Sequence, residues 1–157
     1  MDGDQADLQK LTELKRKYDN VLLYVDEAHA FGVRGRQGLG CAEEFHCIHD
    51  IDFLVGTFGK AAASVGAYIV CKKVIREYLV NRMRTLIFTT GLPPVNIAWT
   101  LFIVRRLADM QERRKHLAHI SRTLREALQV RGYTCPSVSH IVPMIIGPSA
   151  DLSLIHI

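Results

Sequence analysis

Apolar positions along the chain change period several times. In "QADLQKLTELKRKY", residues 5–18, Leu8, Leu11 and Leu14 recur at three-residue steps with charges between them. That spacing predicts an amphipathic helix. "VLLYV" (21–25) is then a continuous apolar run, the pattern of a strand buried on both faces. A second run, "IDFLVGTF", covers 51–58, and a third, "VGAYIVC", covers 65–71. About 24 residues join the first two strands, enough for a parallel crossover, which needs a dozen or more. About seven join the second and third, too few for a crossover, so that pair is expected to be antiparallel. Between them lie the glycine-rich loop "GVRGRQGLG" and a short helix at "CAEEF". "KKVIREYLVNRM" predicts a helix, broken by "IFTTGLPP". Pro94 suits the first turn of the next helix, "VNIAWTLFIVRRLADM". A further helix spans about 111–130, with Gly132 at its stop, and "HIVPMIIG" reads as a new strand. The expected class is α/β: a mostly parallel sheet with one reversed strand, flanked by helices.

Composition narrows the classes. The chain has 157 residues, 48% of them apolar, which suffices for a real core. No apolar run reaches the roughly 18 residues of a membrane span, and "MDGDQADLQKL" is too acidic for a secretory signal. The four cysteines (Cys41, Cys47, Cys71, Cys135) are scattered and suit a reducing cytoplasm. His46, Cys47 and His49 in "HCIHD" have no second ligand pair at zinc spacing. The net charge of +4 gathers in "VRRLADMQERRKHL" and "SRTLREAL", where arginines alternate with aliphatic residues and no aromatics interleave. A solvated helix face is the expectation there, not a nucleic-acid surface.

Chemistry concentrates at the strand ends. "VLLYVDEAHAFG" resembles the acidic strand end of a helicase-type ATPase. Such an enzyme needs a phosphate loop ending in Gly-Lys-Ser or Gly-Lys-Thr, normally upstream. Here the only Gly-Lys is Gly59-Lys60; Ala61 follows it, and it lies downstream. Asp26 and His29 follow the first strand, and Thr57 and Lys60 the second. Ligands of open α/β sheets bind outside such ends, so all four are expected to line one crevice, with Asp26 and Lys60 buried. A lysine for a Schiff base, an aspartate for a protonated ring nitrogen and a hydroxyl for phosphate suit pyridoxal phosphate. Each residue also has a plainer reading: Asp26 as a cap, His29 as a core histidine, Lys60 as a surface lysine. Glu27 reads as structural, Tyr68 and Trp99 as core.

"YVDEAHAFGVRGRQGLG", "IDFLVGTFGKAAASVGAYIV" and "LIFTTGLPP" together resemble the α-oxoamine synthases, over essentially residues 1–150. The resemblance implies part of the large domain of the aspartate-aminotransferase-like (fold type I) architecture over 1–134, and the start of a small C-terminal domain over 135–151. It implies pyridoxal 5'-phosphate as cofactor, and condensation of an amino acid with an acyl-thioester with loss of carbon dioxide. The motifs are most similar to the branch that joins alanine to a pimeloyl thioester; the branches using glycine or serine share the signatures. By resemblance, Lys60 is the Schiff-base lysine and proton carrier, Asp26 the ring-nitrogen partner and His29 a bond to the phenolic oxygen. Thr57 is a phosphate or phenolate contact. Thr89 and Thr90 reach the phosphate of a neighbouring subunit's cofactor, which implies a homodimer. The family's upstream glycine-rich segment, its ring-stacking residue and its carboxylate-binding arginine have no match here. "LSLIHI" (152–157) also matches what a sequencing-library adapter encodes. The expectation is a gene fragment read into adapter, with Met1 internal to a longer protein and the fragment itself inactive.

Overall fold

A computed structural model describes residues 2–145. Contacts divide the chain into two units, one of Asp7–Gln111 and one joining the first residues to those from Glu112 onward.

The first unit is built on a three-stranded sheet in the order β1-β2-β3. β1 (Tyr24–Asp26) runs parallel to β2 (Phe53–Thr57), and β3 (Ala67–Cys71) runs antiparallel to β2. Both directions agree with the connection lengths. β1 is shorter than the apolar run predicts, and Asp52 is the cause. Its carboxylate accepts the N–H of Leu23 (2.9 Å), so that donor is lost to the ladder. The same buried carboxylate takes the ammonium of Lys15 at 2.5 Å. Burial pushes the Asp52 pKa up, but Lys15 and the Leu23 N–H outweigh it and hold the group below the usual carboxylate range.

That ion pair fastens α1 (Leu8–Lys17) beside the sheet. α1 begins where the Asp7 side chain accepts Lys10 N–H at 3.1 Å, and it ends in Lys15, Arg16 and Lys17, a charge order that suits the helix dipole. Register sets the two faces of the sheet. Val25, Leu54 and Val70 share one face, and Leu54 joins Leu8, Ala42 and Cys47 in a core that includes α2 (Cys41–Glu44). Tyr24, Phe53 and Cys71, then Asp26, Val55 and Ile69, share the other. β1 is therefore not buried on both faces as expected: Tyr24 is 65% exposed.

α3 (Lys73–Arg82) and the short α4 (Arg84–Ile87) follow β3. Pro94 does open α5 (Pro94–Arg106). A second core unites Phe31, Ala62 and Leu107 with Phe58, Tyr68 and Ile103.

The second unit is dominated by α6 (Gln111–Val130). Gly132, at φ 84°, takes the left-handed stop predicted for it. Arg125 donates to Ser139 O (2.9 Å), and Val138 N–H donates to Gly3 O (3.1 Å). Residues 140–145 form no strand, a correction to the reading of "HIVPMIIG". Its last residues lie outside the described residues, as do the 152–157 tail and the end of the expected small domain.

Candidate functional site

Two loops leave the same end of the sheet, one after β1 and one after β2. The first carries Asp26 and His29. Glu27 N–H donates to Val55 O (2.7 Å), which keeps β1 and β2 together past the last ladder pair. The Glu27 side chain is 2% exposed and turns to the covered face. There it accepts Cys41 N–H (3.0 Å) and Ala42 N–H (2.6 Å) at the start of α2. A carboxylate on free N–H groups at a helix start is well matched in charge. Gly40, at φ 108°, leaves room for it: a Cβ there would stand 2.7 Å from Glu27 Cδ. Arg34 in the same loop makes two 2.8 Å bonds to Glu44. Those bonds hold the Glu44 carboxyl below its ordinary range. Cys41 is pushed up to about 11, by burial first and then by the Glu27 charge, so it stays an unreactive thiol.

The second loop carries Lys60. Thr57 Oγ donates to Gly66 O (3.1 Å) and accepts Gly59 N–H (3.1 Å), closing the loop at its base. Ser64 N–H returns to Phe58 O (2.9 Å), and Ala63 N–H to Lys60 O (3.0 Å). Ala63 lies at φ 48°, a left-handed backbone that a non-glycine residue adopts at some cost.

The loops meet. A Cβ on Gly32 would stand 2.8 Å from Ala61 Cβ. Phe31 stacks edge-on to Phe58 (6.0 Å) and Tyr68 (5.1 Å). The Tyr68 ring lies over Gly56, where a Cβ would come within 2.5 Å of Cζ. Burial first, then the charges of Glu27 and Asp26, push the Tyr68 hydroxyl up to about 12. His29 is thus three residues from Gly32 on one side of a contact, and Lys60 is next to Ala61 on the other.

The predicted side chains differ from expectation in burial. Asp26, His29 and Lys60 are exposed, because they stand at the open end of the sheet and no described segment folds over them. Asp26 spends one oxygen on Ala28 N–H (2.8 Å), a local turn, and the other is left to accept a further donor. No carboxylate among the described residues pairs with Lys60. The residue types present at these two strand ends, a lysine outside the ion pairs of the described residues, a carboxylate with one oxygen open and a histidine three residues on, fit pyridoxal phosphate. Thr57 fits less simply, since its one proton goes to Gly66 O. Thr89 and Thr90 are exposed between α4 and α5. Thr89 borders an apolar groove of about 910 Å³ over the uncovered sheet face, with Tyr24, Val55 and Ala67 on its other wall. Asp26, His29 and Lys60 do not line that groove. No cluster of three potential metal ligands occurs among the described residues, and no helix among them is long and apolar enough to cross a membrane.

Sequence reasoning took Trp99 for a core residue. It is 43% exposed, and its indole N–H donates to Ala62 O at 2.9 Å. Beside it, Thr100 Oγ donates to Ser64 Oγ at 2.9 Å. Both contacts fall on the Lys60 loop, and no local motif signals them.

Residues 1–156 match the aminotransferase class I and II family, and the chain belongs to it. Over 148 residues it is 60% identical to a protein of Glaesserella parasuis serovar 5 (strain SH0165), provisionally named 8-amino-7-oxononanoate synthase. That match covers 94% of this chain and 39% of the relative. A serine palmitoyltransferase from S. paucimobilis, solved with PLP–myriocin bound, superposes with a TM-score of 0.87 at 29% identity, covering 96% of this chain and 39% of that one. An 8-amino-7-oxononanoate synthase from Francisella tularensis superposes at 0.75 with 25% identity, covering 93% and 53%. These are α-oxoamine synthases, as the three motifs led us to expect, and the family's cofactor is pyridoxal phosphate. The chain spans about 39% of the length of the curated relatives it matches. Family membership removes the ATPase alternative.

Proposed function

We propose that this chain carries the lysine-bearing part of an α-oxoamine synthase site that joins an amino acid to an acyl-thioester with loss of carbon dioxide. The observation that supports this most is the meeting of the two loops at Gly32 and Ala61, next to Lys60 and near the Asp26–His29 segment. When bound, pyridoxal phosphate supplies an electron sink for the charge that develops at the amino acid's α-carbon. The open Asp26 carboxylate would accept the ring N–H and keep that proton on nitrogen. His29 would donate to the phenolic oxygen. Lys60 Nζ would hold the cofactor covalently, and once displaced would carry the α-proton. Thr89 and Thr90 would donate to phosphate across a homodimer interface. Thr57 would do so only by turning its proton away from Gly66 O. The amino acid is proposed to be L-alanine and the acyl donor a pimeloyl thioester, in biotin biosynthesis in the cytoplasm, from the names of the relatives and the motif likeness.

Borohydride reduction after incubation with pyridoxal phosphate tests the site. The label is expected on the peptide containing Lys60, and Lys60→Ala should abolish it there. Asp26→Ala should weaken cofactor binding about ten- to a hundredfold, the effect of losing one charged hydrogen bond. Label spread evenly over exposed lysines such as Lys10 and Lys115 would defeat the proposal.

A further inference from the structure

We infer that Trp99 and Thr100 on α5 are positioning residues for Lys60. The inference rests on the reading of Lys60 given above. Adjacent residues on α5 each place one hydrogen bond on the loop that follows the lysine. The Trp99 indole N–H donates to the carbonyl of Ala62, and the Thr100 hydroxyl donates to the side-chain hydroxyl of Ser64. Ala62 is 1% exposed, so its carbonyl has little access to water as an alternative partner. Trp99 itself is 43% exposed, and core packing does not account for its place. The braced segment also contains the strained Ala63. A left-handed alanine persists only where its surroundings over-determine it, and such strain concentrates at working sites. From the other end, the Thr57 hydroxyl ties Gly59 to Gly66. Lys60 therefore projects from a loop held at both ends, while its own side chain stays exposed. The point from which the Lys60 side chain starts is set by backbone that α5 braces.

Trp99→Phe keeps an aromatic ring and deletes the N–H. Thr100→Val keeps the shape and deletes the hydroxyl. The double variant is compared with the unaltered chain by two measurements. Amide exchange across residues 59–64 needs no cofactor and should accelerate about tenfold. Labelling of Lys60 by pyridoxal phosphate and borohydride, followed against pH, should lose its preference and take the profile of Lys10 or Lys115. Thr100→Ser should retain both properties. Should the double variant fail to fold, Thr100→Val and Ser64→Ala singly report on the same bond from its two ends. Unchanged exchange overturns the inference. Faster exchange with an unchanged Lys60 pH profile overturns it too, because the loop would then be braced without positioning the amine. No preference for Lys60 in the unaltered chain would instead overturn the reading of the site, and the brace would stand or fall on exchange alone.

Discussion

The loops after β1 and β2 leave the same end of one sheet, yet they are fixed by different means. The first is organised from within, around a buried carboxylate. Glu27 holds the start of α2, Gly40 makes room for it, and Arg34 reaches Glu44. The second is short and is held by uncharged groups: the Thr57 hydroxyl at its base and the α5 side chains at its far side. A loop of many residues encloses enough space to bury a charge and surround it with N–H groups. The second loop buries no charge, and its anchors are the Thr57 hydroxyl at its base and side chains of a neighbouring helix. The difference also separates their chemistry. Anchors of the first loop are charged, whereas those of the second are not.

Removing the charge should break the contrast most strongly. Glu27→Ala leaves two N–H groups at α2 without an acceptor, at roughly 1–3 kcal/mol each. A loss near 3 kcal/mol in urea unfolding is expected, and a change below about 1 kcal/mol would mean that water replaces the carboxylate. Thr57→Val removes both bonds at the base of the second loop and should cost about 1–2 kcal/mol. Thr57→Ser should recover most of it; if it does not, the methyl group matters more than the hydroxyl. The smallest effect is acid sensitivity. Glu44 is held below its unfolded value by Arg34, so the pair's contribution is complete above the unfolded value, about pH 4.3, and is lost as pH falls through the lower folded value. For a half-exposed pair this amounts to a few tenths of a kcal/mol, up to about 1. Amide exchange in residues 33–36, corrected for intrinsic rate, should rise below about pH 4, and Glu44→Gln should remove that response there; Gln37 and Leu39 donate to Glu43 instead and report on that carboxylate. Equal loosening of residues 58–66 in acid would erase the distinction between the loops.

Much of this architecture was legible in the sequence because connection length constrains strand direction. The gap before β2 allowed a crossover and the gap before β3 did not, so β1∥β2 and the reversed β3 followed. Pro94 and Gly132 marked helix ends through φ alone. Three motifs in order were enough to name the family. What escaped reading depends on partners distant in sequence. The first ladder position was lost to Asp52, a side chain 29 residues from Leu23. The exposure of Asp26 and Lys60 depends on what covers the strand ends, which no local pattern encodes. The bond from the Thr57 hydroxyl to Gly66 O escaped because a hydroxyl near Lys60 carries no sign of its partner nine residues on. Trp99 looked like core because helical spacing reports a face, whereas its partner is a backbone carbonyl invisible to any motif.

Trp99 is also the chain's single tryptophan. Its emission therefore comes from one place, a hydrogen bond two residues beyond Lys60. Any loosening of the loop at Ala62 changes the surroundings of the only indole that fluoresces. The chain thus contains an optical gauge of its candidate site, and no dye has to be introduced to read it.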